Sequence, residues 1–345
     1  MPYYDYELSK AAKILCEDLF KLKPGETFII TADTESDDRV VEATARAAFA
    51  CDAKPMVIRT ASPLVSGTAG EGMLPWESIT AALIKADAWV MFNNKSLLYS
   101  SVTKNAMKEN KKLRWMDLIG MNVDMMIRNI GRVDYPTLKE FMNLVTQKTS
   151  SAKHMRITTP AGTGVEFDNV PGRKVNLELG YAHTPGTYMM AGQIGWAPNL
   201  ESINGTIVFD GSVHPLGLLK EPIYLTIKSG EIVKIDGGKE ATEYEQWLKS
   251  FNHPQMFKLA HVCYGFNPGA KLTGDVLEDE RIWGSTEWGL GHVGDILIPG
   301  GIYGPSHSDG ICLNSSIWLD GVQIMDKGHL LDPELKQLAE KLGKI

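Results

Sequence analysis

The sequence predicts an α/β domain, with a parallel sheet and flanking helices, followed by a β-rich α+β domain. Helical and strand patterns alternate up to Lys148, as in domains whose strands are joined by crossover helices. Beyond that point, short strand patterns are separated by Gly, Pro and Asn turns. The chain of 345 residues is long for one hydrophobic core. We therefore predict domains at residues 1–148 and 149–345, the second carrying the metal site and the catalysis.

The first domain opens with a helix predicted by apolar residues at helical spacing from Leu8 to Leu22, which Pro24 and Gly25 end. The elements that follow in this domain are predicted as the strand Thr27–Thr31, the helix Val40–Ala50, the strand Pro55–Arg59, the helix Trp76–Ala86, the strand Ala88–Phe92, the helix Ser101–Asn110 and the strand Leu113–Asp117. No glycine-rich phosphate-binding motif follows the first strand, so nucleotide binding has no support.

The second domain begins after a helix predicted at Tyr135–Lys148. Its predicted elements are the strands Met155–Thr159, Val165–Asp168, Gly205–Asp210, Ile223–Lys228 and Glu231–Asp236, the helix Ala241–Phe251, a hairpin from Ser316 to Met325 and the helix Leu335–Leu342. The hairpin turns at Asp320-Gly321, and Asp332-Pro333 supplies the cap and first-turn proline of the last helix. This order predicts a mainly antiparallel domain.

Composition excludes several classes of function. The chain is 43% hydrophobic and 22% charged, which is ordinary for a globular protein, and its net charge of −7 offers no basic surface for nucleic acid. Its four cysteines show no Cys-x-x-Cys pair, so neither a disulfide framework nor a zinc knuckle is indicated. The N-terminus does not resemble a signal peptide, and no run of about 18 apolar residues is present. We expect no membrane partner and a cytoplasmic location.

The stretch from Pro305 to Leu313 carries the strongest chemical signal. His307 and Asp309 are two residues apart, so in an extended segment both side chains point to the same face. His261 lies in a separate apolar strand pattern that is closed by a turn. Two histidines and one carboxylate form the three-ligand site of non-haem iron and related divalent metals. An isolated His-x-Asp pair is also common where the Asp only orients or caps a turn.

Further candidates surround these residues. Glu280 and Glu287 lie among Gly and Trp residues, although a salt bridge with Arg281 explains Glu280 equally well. Tyr264 and Trp288 are candidates for an aromatic substrate pocket or for the core. His183 precedes Thr-Pro-Gly and is a candidate for a substrate-facing loop. No Gly-x-Ser-x-Gly motif or nucleophilic cysteine context is present, so covalent catalysis has no support.

The segments Ala260–Pro268, Glu278–Gly284 and Ser306–Gly310 resemble those of the superfamily that contains the thermophilic metallo-aminopeptidases and the 2,5-dihydroxypyridine 5,6-dioxygenases. The domain order and the segment from Glu178 to Gly186 are similar over most of the chain. The resemblance implies an α/β first domain, a β-rich metal-carrying second domain and an oligomer. We therefore expect a homo-oligomer, at least a dimer.

The two branches of this superfamily imply different chemistry, and the sequence lies between them. The dioxygenase iron ligands match His261, His307 and Asp309. The aminopeptidases have a Glu in place of His261, and their further metal-binding Glu and His match Glu280 and Glu287. The dioxygenases also carry substrate-contacting histidines after the third strand and past the Gly-Tyr-Ala segment, at places where this sequence has Asn93–Leu97 and Thr187–Met190 and no histidine.

Charge favours hydrolysis as the first hypothesis. A fourth ligand, Glu287, suits Mn²⁺ or Zn²⁺ polarising a carbonyl and activating water, with Glu280 or Glu287 as the general base. We therefore predict a hydrolase that uses one divalent metal ion (Mn, Fe or Zn) to open a small polar, cyclic carbonyl substrate. The first alternative is an Fe(II) ring-cleaving dioxygenase that uses the three-ligand set, and the second is a metallo-aminopeptidase.

Overall fold

The computed structural model describes residues 4–98 and 100–344. Their α-helices are α1 (Asp5–Lys13), α2 (Asp38–Ala50), α3 (Trp76–Leu83), α4 (Ser101–Glu109), α5 (Val123–Met126), α6 (Tyr135–Ser151), α7 (Lys239–Ser250), α8 (Val276–Asp279) and α9 (Pro333–Lys341). A π-helical segment, Ile14–Leu19, continues α1. Within the described ranges, no helix is both long and apolar enough to span a bilayer.

The strands follow the same chain order. They are β1 (Thr27–Asp33), β2 (Lys54–Thr60), β3 (Ala88–Met91), β4 (Arg114–Asp117), β5 (His154–Thr158), β6 (Gly164–Asp168), β7 (Asn176–Glu178), β8 (Gly186–Met189), β9 (Gln193–Trp196), β10 (Asn204–Phe209), β11 (Ser212–Val213), β12 (Gly217–Leu218), β13 (Ile223–Lys228), β14 (Glu231–Gly237), β15 (Leu259–Gly265), β16 (Ser285–Val293), β17 (Ile302–Cys312), β18 (Ser316–Leu319), β19 (Val322–Asp326) and β20 (His329–Leu330).

The first compact unit comprises residues 1–133 and 178–191. Its described strands form a parallel sheet in the order β2-β1-β3-β4-β8. Crossover helices between these strands confirm the predicted α/β class. The core includes Trp89 and Trp115, whose rings stack with centroids 4.7 Å apart, and the Trp89 indole donates to Thr31 Oγ1 at 2.9 Å.

The second compact unit comprises residues 134–177 and 192–345. One of its sheets has the strand order β14-β13-β10-β6-β5-β18-β19-β20, and the other has the order β12-β11-β17-β16-β15-β9-β7. The strands of the first of these sheets, and those from β12 to β9 in the second, pair in antiparallel fashion, which confirms the predicted β-rich second part. Trp288 of β16 packs edge-on against Phe167 of β6, so side chains from the two sheets meet in the core of this unit.

The boundaries of the two compact units differ from the predicted division of the chain after residue 148. Helix α6 begins at Tyr135 and belongs entirely to the second unit. The segment 178–191 returns to the first unit because β8 pairs in parallel with β4 at the edge of that sheet. Its four residues are not fully buried and carry no long apolar run, so sequence periodicity gives little indication of this strand.

Candidate metal centre

Three neighbouring strands of the second unit bring the predicted metal ligands together. In the antiparallel register, His261 of β15 lies opposite Gly289 of β16, which lies opposite Asp309 of β17. Glu287 is two residues from Gly289, and His307 is two residues from Asp309. Since directly paired residues and residues two apart share one face of a sheet, the side chains of His261, Glu287, His307 and Asp309 all emerge on the same side.

Gly289 makes room for the histidine in the middle of this arrangement. A Cβ atom at Gly289 would lie 2.2 Å from Cε1 and 2.5 Å from Nδ1 of His261. Real side chains do not approach so closely, so the imidazole lies across the backbone of the neighbouring strand only because that residue is glycine.

The nitrogen and oxygen atoms of the cluster converge closely. His307 Nε2 is 2.9 Å from Asp309 Oδ1, and His261 Nε2 is 3.5 Å from the same oxygen. The two imidazole rings lie 5.1 Å apart at 22°. Asp309 Oδ1 is buried, and among the described residues no donor meets it at hydrogen-bonding geometry. Lone pairs that converge without satisfying one another are suited to sharing a cation, and these residues can hold a metal ion.

A backbone contact fixes the orientation of His307. Its Nδ1 lies 2.8 Å from the carbonyl oxygen of His292. Because a carbonyl only accepts, Nδ1 carries the proton, and Nε2 is the atom that faces Asp309. Burial lowers the pKa of His307, but the carboxylates of Asp309 and Glu287 raise it more, to about 9. A metal ion would therefore displace a proton from Nε2 at neutral pH.

A second group of side chains adjoins these ligands. Glu287 is fully buried, and its Oε1 lies 2.6 Å from His261 Nε2. Its Oε2 accepts a hydrogen bond of 2.8 Å from the side-chain amide of Gln193, which also donates to Glu280 Oε2 at 3.0 Å. Arg281 contacts Glu280 Oε2 at 3.1 Å through Nη1. Both predicted roles of Glu280 are thus compatible with its position, since it pairs with Arg281 and adjoins the cluster.

The charges in this group favour a divalent cation. Three carboxylates, Glu280, Glu287 and Asp309, have oxygen atoms within 4.8 Å of one another, and the guanidinium of Arg281 contacts one of them. Burial, together with the charges of Asp309 and Glu287, raises the pKa of Glu280 well above its ordinary value. Once His307 and Glu280 have lost their protons, three carboxylate charges face the single positive charge of Arg281, and a divalent ion would neutralise the two left over.

Two residues predicted to contact substrate lie elsewhere. Tyr264 is three residues from His261, and Trp288 is one residue from Glu287, so alternation directs both side chains to the opposite face of the sheet. Both are fully buried. Tyr264 packs edge-on against Trp196 at 4.7 Å, and Trp288 belongs to the core described above. We therefore replace the substrate-pocket prediction for these two residues with a core-packing role.

His183 belongs to the first unit, whereas the cluster belongs to the second. Its Nε2 lies 2.7 Å from the carbonyl oxygen of Asp18, and its ring contacts that of Tyr181 at 5.0 Å. These contacts anchor the loop before β8 within the first unit. A role for His183 in substrate binding stays a prediction.

Sequence reasoning missed two residues of the centre. Gln193 precedes an ordinary Ile-Gly-Trp segment, and no motif marks it as a partner of two acidic residues some 90 positions away. Gly289 carried a usable signal, since a glycine inside a strand pattern indicates close approach of another group. Cys263 is also close to His261 and Glu287, but burial raises the pKa of its thiol well above the ordinary value.

Two solved structures share this fold. The structure of 2,5-dihydroxypyridine dioxygenase from Pseudomonas putida KT2440 superposes with a TM-score of 0.78 at 22% identity, covering 97% of this chain and 100% of that one. Wild-type AmpT from Thermus thermophilus superposes with a TM-score of 0.70 at 14% identity, covering 95% of this chain and 100% of that one. At these identities the likeness shows the fold alone.

A curated relative gives closer sequence similarity over a shorter stretch. The 2,5-dihydroxypyridine 5,6-dioxygenase of Pseudomonas putida KT2440 is 31% identical over 171 residues. That alignment covers 46% of this chain and 48% of the relative. The match therefore spans about half the length of the relative.

The family model described as 2,5-dihydroxypyridine 5,6-dioxygenase matches residues 15–332, which is most of the chain. This match overturns our first hypothesis. The predictions of a hydrolase and of hydrolytic ring opening were wrong, because they gave the carboxylates Glu280 and Glu287 more weight than the two-histidine, one-carboxylate set. Two other predictions agree with this match. The family is one of enzymes, and it implies a metal, which the clustered residues could hold. The chain belongs to the 2,5-dihydroxypyridine 5,6-dioxygenase family.

Proposed function

We propose that this protein is a ring-cleaving dioxygenase that acts on a small dihydroxylated pyridine and uses one divalent metal ion, Fe(II). Family membership supports the reaction class. The observation that carries the proposal is the convergence of His261 Nε2 and His307 Nε2 on Asp309 Oδ1, a buried oxygen without a hydrogen-bonding donor among the described residues.

The donor set fits iron better than the other metals considered. Two imidazoles and one carboxylate are the ligands typical of non-haem Fe(II) oxygenases. In our proposal His261, His307 and Asp309 hold the ion. When bound, Fe(II) supplies positions at which a substrate oxygen and dioxygen meet. The His292 carbonyl fixes the tautomer of His307 that this role requires.

Glu287 is proposed as the general base. A hydroxyl group that approaches the centre becomes more acidic and must transfer its proton to a nearby acceptor. Glu287 Oε1 lies 2.6 Å from His261 Nε2, so it is beside the proposed metal position, and the side chain is shielded from water. We therefore assign the hydroxyl proton to Oε1. The sequence-based prediction that Glu287 is itself a metal ligand stays untested.

Glu280 has a structural role beside the centre in this proposal and takes no part in proton transfer. Its Oε2 is shared between Arg281 Nη1 at 3.1 Å and the Gln193 amide at 3.0 Å. Both groups donate hydrogen bonds to this oxygen, so they restrain the Glu280 side chain beside the centre. The substrate is a small molecule, and homo-oligomerisation and a cytoplasmic location stay predictions.

The test is to follow 2,5-dihydroxypyridine and dioxygen together. Purified protein is stripped of metal, reloaded with Fe²⁺, Mn²⁺ or Zn²⁺, and assayed by ring absorbance and an oxygen electrode, in air and under argon. We expect consumption of substrate and dioxygen in equal amounts with Fe²⁺, and no turnover under argon. Metal loading without oxygen consumption, or turnover that continues under argon, would overturn the proposed reaction.

A further inference from the structure

Gln193 connects a buried guanidinium to the candidate metal centre. It is the first residue of β9, which pairs with β15 so that Gly195 lies opposite Cys263. Gln193 is two residues from Gly195 and therefore shares the face that carries Glu287. Its amide nitrogen donates to Glu287 Oε2 at 2.8 Å and to Glu280 Oε2 at 3.0 Å.

Arg281 determines which way this amide points. The guanidinium is fully buried and donates through Nη2 to Gln193 Oε1 at 3.3 Å. Its Nη1 donates to the carbonyl oxygen of Leu277 at 2.7 Å, which anchors it to the backbone. Because arginine has donors only, the amide oxygen must face it, and the NH₂ group must face the carboxylates. The reverse orientation would place oxygen against oxygen.

The amide therefore engages one oxygen of Glu287 and leaves the other for the centre. Oε2 is taken by Gln193, while Oε1 lies 2.6 Å from His261 Nε2. A free carboxylate could turn both oxygens towards a cation, as bidentate ligands do. The hydrogen bond to Oε2 opposes that rotation.

We propose that Gln193 is a positioning residue that restrains Glu287 to a single oxygen facing the metal, which preserves room for substrate and dioxygen. This inference rests on the proposed function, because it takes the converging atoms as a metal centre. It assigns to Gln193 no contact with metal or substrate. The acidic residue that made the sequence resemble a hydrolase is thereby held in a position compatible with oxygenase chemistry.

The experiment introduces Gln193→Met into two backgrounds, the wild-type protein and the Glu287→Gln variant, and compares each with its parent. Methionine has similar length but cannot donate a hydrogen bond. Co²⁺ replaces iron as a spectroscopic probe, since its visible absorption weakens as the number of ligands rises. We expect Gln193→Met to weaken the Co²⁺ absorption, and to lower kcat of the iron enzyme roughly 10- to 100-fold, the typical range for groups that orient a metal site. In a Glu287→Gln background, adding Gln193→Met should change neither quantity by more than about twofold, as residues acting through one another are non-additive.

Gln323→Met is the matched control. This partly buried glutamine of the same unit also donates to a carboxylate, Asp326 Oδ1, at 3.3 Å. It should leave the Co²⁺ spectrum and kcat unchanged. An unchanged spectrum in Gln193→Met, or an equal effect in both backgrounds, would overturn the positioning role. Wild type that bound no Co²⁺ would overturn it together with the metal centre. Normal Co²⁺ behaviour without oxygen consumption would overturn the proposed reaction but support the role of Gln193.

Discussion

The imidazole of His261 lies across the backbone of Gly289 on the adjacent strand, in space that a Cβ atom there would fill at 2.2 Å. The position of the His261 ring therefore depends on the neighbouring strand as much as on its own strand. The identity of a residue with no functional group thus determines where the nitrogen of a proposed metal ligand lies.

We predict that Gly289→Ala displaces His261 and abolishes stoichiometric metal binding, with loss of activity. The added methyl group cannot be accommodated without moving the ring, because the strands on both sides are fixed by pairing. Metal analysis after dialysis measures the effect. Gly164→Ala, a strand position with open space around the new methyl group, is the control and should bind metal normally. Full metal content in Gly289→Ala would contradict the argument.

His307→Ala and Asp309→Ala should each remove stoichiometric metal and activity while leaving the fold intact. Each substitution deletes one of the three proposed ligands, and Asp309 also supplies the oxygen on which both histidines converge. Circular dichroism and metal analysis separate folding from binding. His154→Ala is the control, because this histidine is about half exposed and pairs with Asp168. Mutants that retained their metal would show that the centre lies elsewhere.

Glu287→Gln should lower kcat by roughly 10²–10⁴-fold, the usual cost of losing a general base. The amide keeps the size of the side chain but cannot take the hydroxyl proton. Iron content should stay close to wild type if the three-ligand set holds the ion. Steady-state kinetics and metal analysis on the same preparation test both statements. Glu166→Gln, at an exposed position on β6, should behave as wild type. A kcat for Glu287→Gln within about twofold of wild type would contradict the role of Glu287 as the general base.

A pH-dependent stability effect is expected at Asp275, the N-cap of α8. Burial and the charges of Asp279 and Glu278 raise its pKa from 3.8 to about 6, although its bond from the Leu277 amide opposes the shift. The folded state therefore binds the proton more tightly than the unfolded state, and stability falls as pH rises from about 4 to about 6. An asparagine side chain at this position would cap equally well but cannot ionise. Asp275→Asn should thus become more stable than wild type across that interval and stay so above it.

Urea unfolding of the metal-free protein between pH 4 and pH 8 measures this difference. Asp134→Asn provides the control, since Asp134 is an exposed N-cap and the first turn of its helix contains no acidic residue. A constant stability difference between Asp275→Asn and wild type over the whole range would refute the prediction.

The grouping of His261, His307 and Asp309 was predictable because it depends on local rules. His307 and Asp309 are two residues apart in a strand, and His261 lies in a separate buried strand, so alternation alone directs compatible side chains to one face. The same alternation places the side chain of Tyr264 on the face opposite His261, and that of Trp288 on the face opposite Glu287. Their assignment to the core was within reach of the sequence.

Other features depend on which strands become neighbours. Gln193 meets Glu287 because β9 pairs with β15, and β15 pairs with β16. Such contacts join positions far apart in the chain, and one unaligned sequence carries no periodicity that reports them. The parallel pairing of β8 with β4 is of the same kind.

The interrupted course of the second unit affects how it can be inherited. The unit begins at Asp134, is interrupted by residues 178–191, and resumes at Gly192. A single genetic crossover therefore cannot deliver the entire second unit to another protein without also carrying β8, a strand of the first sheet. A second unit transferred in this way would bring a strand that lacks its own sheet, so we expect changes of chemistry in such a chain to arise by point substitution on β9, β15, β16 and β17.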